Sequence, residues 1–76
     1  MQKTLSIGRR TYTIEGTRTV VNNFGQTQVW TDLKGSRGAD VVLCETQCKY
    51  GVAAKLIHFG RMKPAESVDA SLIRRG

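Results

Sequence analysis

Residues 27–44, TQVWTDLKGSRGADVVLC, decide the fold: two apolar-rich segments of strand composition are separated by a loop holding two glycines. In the first arm Val29, Thr31 and Leu33 alternate with Gln28, Trp30 and Asp32. Strand side chains point to opposite faces with a period of two, so Val29 and Leu33 share one face, which is the expected core. Trp30 falls on the other face, between polar neighbours. In the second arm Val41, Val42, Leu43 and Cys44 are apolar on both faces, the mark of a strand covered on both sides. With Val42 and Cys44 beside it, Trp30 either joins a second small core under the C-terminal segment or stands exposed as a stacking platform.

Between the arms, Lys34, Gly35, Arg37 and Gly38 make the loop a candidate anion site. Its glycines permit positive φ, and successive backbone N–H groups turned outward could add to the two side-chain charges in holding a phosphate. The tetrad GSRG formally matches the G-x-x-G clamp of RNA-binding domains, but that clamp joins helices and this loop joins strands, so an ordinary solvated hairpin loop explains it as well.

Outward from this hairpin the chain continues to read as strands. Leu5 and Ile7 alternate with Thr4 and Ser6, Gly8 and Arg9 turn the chain, and Tyr12 and Ile14 alternate with Thr11 and Thr13. Glu15, Gly16 and Thr17 have turn composition; residues 18–22 have the β-branched content of a strand in Thr19, Val20 and Val21; Asn23, Phe24 and Gly25 punctuate again. Residues 52–59 fit both a helix and a strand template. Eight residues between glycines, with β-branched and aromatic content, favour strand. Residues 64–75 carry helix punctuation, with Pro64 opening, Glu66 in the first turn and Arg74 and Arg75 in the last.

The expected fold is therefore mostly β: an antiparallel meander or partly closed five- to six-stranded barrel of SH3-like or OB-like size, with a short C-terminal helix. The predicted strands are 3–8, 10–15, 17–22, 27–33, 39–45 and 52–59. The predicted core is Leu5, Ile7, Ile14, Val29, Leu33, Val41, Leu43 and Leu56. Counting turns in such a meander places Arg9 and Arg10 at the end opposite Lys34 and Arg37.

At 76 residues the chain is one domain with little room for a deep cleft. Its 12 Lys and Arg against 6 Asp and Glu leave a charge of +6, a field that favours nucleic acid, an anionic membrane surface or an acidic protein. No segment pairs a strong apolar face with a basic one, so a membrane role is not expected. Cys44 and Cys48 on one extended strand would sit about 13 Å apart, too far to bridge, and the first residues lack the apolar run of a signal peptide; free thiols in a reducing cytoplasm are expected.

Cys44, Cys48 and His58, even with Glu45, make a poor zinc set, and no P-loop, dinucleotide fingerprint or paired catalytic carboxylates occur. Neither a cofactor, a metal nor an enzymatic activity is expected. The leading expectation is a small basic nucleic-acid-binding module for RNA or DNA. In it Arg9, Arg10, Arg18, Lys34 and Arg37 contact phosphates, with Gly35 and Gly38 shaping the loop, and Trp30, Tyr12 or Phe24 stacks on bases. The alternative is a protein-docking inhibitor or accessory subunit, of the kind phages and mobile elements encode, that acts on an acidic surface of a larger complex. An exposed edge strand would allow a homodimer.

Overall fold

The computed structural model describes residues 3–35, 37–59 and 64–75; Ser36 and Gly60, used above as loop and strand punctuation, lie outside them. The strands are β1 (Thr4–Ile7), β2 (Arg10–Val21), β3 (Thr27–Lys34), β4 (Asp40–Cys48), β5 (Gly51–His58), β6 (Glu66–Val68) and β7 (Ile73–Arg75). They form one antiparallel sheet in the order β6-β5-β4-β3-β2-β1-β7. The outermost strands, β6 and β7, are consecutive in the chain and joined by Asp69 and one 3-10 turn (Ala70–Leu72). Opposite edges linked by so short a connection require a sheet curled into a half-barrel.

Register assigns the two faces. Leu5 opposes Tyr12, Ile14 opposes Leu33, Leu33 opposes Val41, and Leu43 lies between Thr31 and Leu56. These residues point into the half-barrel, where Leu5, Leu33, Leu43 and Leu56 are each at most 2% exposed. Ile7, Ile14, Val68 and Ile73 pack around them. Near the lower rim of this inner face, Glu45 of β4 pairs with Arg75 of β7. Those strands lie four places apart in the sheet, so the ion pair crosses the barrel and ties its far side to its centre.

Three expectations change. The sheet has seven strands among the described residues: the predicted 10–15 and 17–22 are one strand, and the C-terminal segment adds two. Glu15 is not a turn but the extra residue of a bulge: the register steps from Ile14 opposite Leu33 to Gly16 opposite Asp32. Because β2 is continuous, the β1–β2 turn and the β3–β4 loop leave the sheet at the same end, called the upper end below; the counting that separated them used one strand too many. The C-terminal helix is replaced by β6, the 3-10 turn and β7. A helix of about ten residues is marginal by itself, whereas Val68 and Ile73 here close the core and two sheet edges gain partners. The local helix signals survive only as a cap: the Asp69 carboxylate accepts from the Ser71 amide and hydroxyl, which holds its pKa below the ordinary value.

Of the predicted core, Leu5, Leu33, Val41, Leu43 and Leu56 are buried, while Ile7, Ile14 and Val29 are half-buried. Tyr12 and Ala54 complete it. Residues 51–58 are strand, as expected. Both cysteines are free thiols, and no helix among the described residues is long and apolar enough to cross a membrane.

Candidate nucleic-acid interface

The outer face of the sheet is divided electrostatically. Its upper half holds a hollow of about 360 Å³ edged by Glu15, Asp32 and Asp40, with Val42 and Phe59 beside them and Arg18 on its lower border. These are three of the chain's six carboxylates. Below this level the outer face has no carboxylate, since residues 16–31 and 46–59 contain no Asp or Glu and Glu45 faces inward. One row across this lower half reads Arg18, Trp30, Cys44 and Lys55 on four neighbouring strands. With strands about 4.8 Å apart, Arg18 and Lys55 stand roughly 14 Å apart, with the indole between them.

Trp30 is half-buried, and its setting is neither of the two expected alternatives. Its indole N–H donates to Gln28 Oε1 at 3.1 Å, and the Gln28 amide donates to Thr46 Oγ1 at 3.0 Å. This chain of side chains fixes the ring on the sheet surface. The Arg18 guanidinium lies 5.4 Å from the ring centroid, within cation–π range. The Arg18 side chain thus covers part of the ring, where the C-terminal segment was one of the expected covers.

The lower end carries two hairpin tips side by side, tied by a contact of the Gln26 amide with Cys48 Sγ. The β2–β3 tip is built by Asn22: its side-chain oxygen accepts from the Phe24 and Gln26 amides, its carbonyl from the Gly25 amide, and Gly25 takes φ +78°. This turn leaves Phe24 88% exposed, and the neighbouring β4–β5 turn leaves Tyr50 92% exposed with Lys49 over its ring.

The other candidate residues gather at the upper end. Lys34 lies 4.0 Å from Asp40, its cross-strand partner, and Arg10 lies 3.7 Å from Glu66. Arg9 and Arg37 are exposed, with no carboxylate within 4 Å among the described residues. The Gly35 amide donates to the Ala39 carbonyl and the Gly38 amide to the Gly35 carbonyl. Both glycine donors are thus used inside the loop and are not available to a phosphate. Of the eight residues singled out in the sequence, Arg18 and Trp30 meet through their side chains and Gly35 and Gly38 through a backbone hydrogen bond. Lys55, Gln28 and Thr46 were missed, because their convergence on Trp30 depends on strand register; Phe24 and Tyr50 signal only through aromatic side chains in turn sequences.

Cys44 faces outward in the Trp30 row, Cys48 lies at the tip and His58 pairs with inward-facing Val41; among the described residues no three His, Cys, Asp or Glu side chains converge as a metal site. Comparison with protein-family models, curated proteins and solved structures finds no match to this chain.

Proposed function

We propose that the chain is a small non-enzymatic module that binds single-stranded nucleic acid along the lower outer face of its sheet. The observation that carries this reading is Trp30 set between Arg18 and Lys55 in a row without a carboxylate, bordered above by Asp32 and Glu15 and open below it to a surface with none. A base stacked on an indole is recognised through its π-face, and flanking cations meet the phosphates on either side. Arg18 leaves the ring as the base arrives and turns to the backbone. Phe24 and Tyr50 extend the surface to the lower tips, and a site of about four nucleotides fits its size. The carboxylates around the upper hollow repel the strand from the other half of the face and so set its direction.

Trp30 is the chain's single tryptophan, and its fluorescence reports on the site directly. Addition of an eight-nucleotide oligothymidylate or oligouridylate at low salt should quench it. Arg18→Ala with Lys55→Ala should weaken binding and flatten the plot of log affinity against log salt by about 1.4, at about 0.7 per phosphate contact on a single strand. Trp30→Leu should cost about 1–3 kcal/mol per stacked base, read by polarisation of a labelled oligonucleotide. Lys34→Ala with Arg37→Ala, at the other end of the face, should change the slope by less than half as much. No quenching at low salt by either oligonucleotide removes the reading.

Docking on an acidic protein surface is a second reading, favoured by the exposure of Phe24 and Tyr50 beside Lys49. A partner that stays bound in nuclease-treated lysate, together with silent oligonucleotide titrations, would select it.

A further inference from the structure

The upper half of β2 has β1 on one side and β3 on the other, but β1 reaches only to Thr4 opposite Thr13, with one further bond from the Ile14 amide to the Lys3 carbonyl. Below that point β2 runs on through residues 17–21, TRTVV, with β3 as its sole partner strand among the described residues. This is an open edge of five residues, with β-branched side chains at every position except Arg18. It has no proline, no lysine and no inward-pointing charge, the usual devices that blunt an edge.

The hydrogen-bond phase of the edge follows from the turn below it. The Asn22 amide donates to the Gln26 carbonyl across the hairpin, so residues 22, 20 and 18 make the bonds to β3. The N–H and C=O groups of Thr17, Thr19 and Val21 therefore point away from β3, into the open edge. We propose that this edge pairs with its own copy, antiparallel about Thr19, so that two chains join into one continuous sheet. The inference does not depend on the nucleic-acid reading.

Register selects the second copy and its alignment. Centring on Thr19 places Thr17 opposite Val21 of the other chain, Thr19 opposite Thr19 and Val21 opposite Thr17, so every outward donor meets an outward acceptor in about six bonds. Centring one position earlier sets Arg18 directly against Arg18. Centring one position later keeps only two of the three bonded pairs. In the chosen register Arg18 faces Val20, which is itself 38% exposed in the single chain, and the Arg18 guanidinium already leans over Trp30, away from the edge. The same alignment carries Phe24 toward the bulge of the other chain. It also sets the two Trp30 rows on one surface, related by a two-fold axis. Because each chain carries +6, repulsion opposes the dimer, and added salt strengthens it.

Sedimentation velocity from micromolar to millimolar chain concentration tests the pairing. The expected result is a reversible monomer–dimer equilibrium whose dimer fraction rises with salt, opposite to the salt response of nucleic-acid binding. Thr19→Pro removes an outward N–H without removing a bond inside the chain, and proline is accepted on an open edge. It should leave melting near the wild-type value and abolish the dimer. In a Cys48→Ser background, Thr19→Cys should form an interchain disulfide on mild oxidation, since directly opposed bonded residues lie about 5.5 Å apart, within bridging range. A monomer at every concentration would overturn the proposal. So would a dimer that survives Thr19→Pro but is lost on Phe24→Ala with Tyr50→Ala, because the contact would then lie at the hairpin tips. Failure of the Thr19→Cys chain to cross-link while its dimer persists would overturn the register.

Discussion

Leu43→Ala should cost about 2–5 kcal/mol, the range for truncating a fully buried leucine where the surroundings close in only partly. Leu43 is 0% exposed and sits near the middle of β4, an interior strand of the order, with Thr31 on one side and Leu56 on the other. None of these neighbours is free to collapse into the gap, since each is pinned by its own ladder. A chain of 76 residues has a total stability of about 4–11 kcal/mol, at roughly 0.05–0.15 per residue. The substitution should therefore remove a large part of the stability and in the lower half of that range leave much of the chain unfolded at 37 °C. Urea unfolding followed by Trp30 fluorescence measures it. An unchanged midpoint would mean that Leu43 is not the centre of the core.

Ending the chain at residue 65 should be as damaging, for a different reason. Two buried-face side chains, Val68 and Ile73, are lost at about 1.5–3 kcal/mol each, and both sheet edges lose their partners at once. Leu5 and Leu56, on the strands those partners covered, become accessible, and the ion pair from Arg75 to Glu45 disappears, leaving a half-buried carboxylate without its cation. The shortened chain should have a collapsed melting transition and strong binding of an apolar dye. If residues 64–75 were a helix lying on a finished sheet, the same truncation would remove helical ellipticity and leave a cooperative transition; that outcome contradicts the closure described here.

The sequence carries the strands wherever two-residue alternation is unbroken, as at Val29, Thr31 and Leu33 or at Leu5 and Ile7. It misleads where local chemistry and tertiary demand diverge. Glu15, Gly16 and Thr17 have the composition of a turn, but a bulge needs the same small, adaptable residues, and only pairing with β3 separates the two. Pro64, Glu66 and the terminal arginines are sound helix punctuation; they lose to the gain from closing two edges with one segment, which no local signal records. The candidate site is legible in part. Arg18 and Trp30 stand out as a cation and an aromatic on the solvent face, but their contact and the arrival of Lys55 are properties of register. The loop at Lys34 and Arg37 misleads for the opposite reason: glycines that permit outward amides also permit amides turned inward, and Gly35 and Gly38 take the second course.

The bulge at Glu15 has a further meaning for how this chain tolerates insertions and deletions. Counting by twos from Tyr12, the inward positions would run through Ile14 to Gly16, Arg18 and Val20; with one extra residue they run instead to Thr17, Thr19 and Val21. A single residue thus sets the parity of everything below it. Deleting Glu15 would bring Arg18 into the barrel while leaving every residue of the proposed surface present in the sequence. Two relatives differing by one residue at this point would share composition and strand count and yet present opposite faces of β2 to the solvent. The length of the segment between Ile14 and Arg18 is therefore a sharper criterion for recognising a relative than the identity of any residue within it.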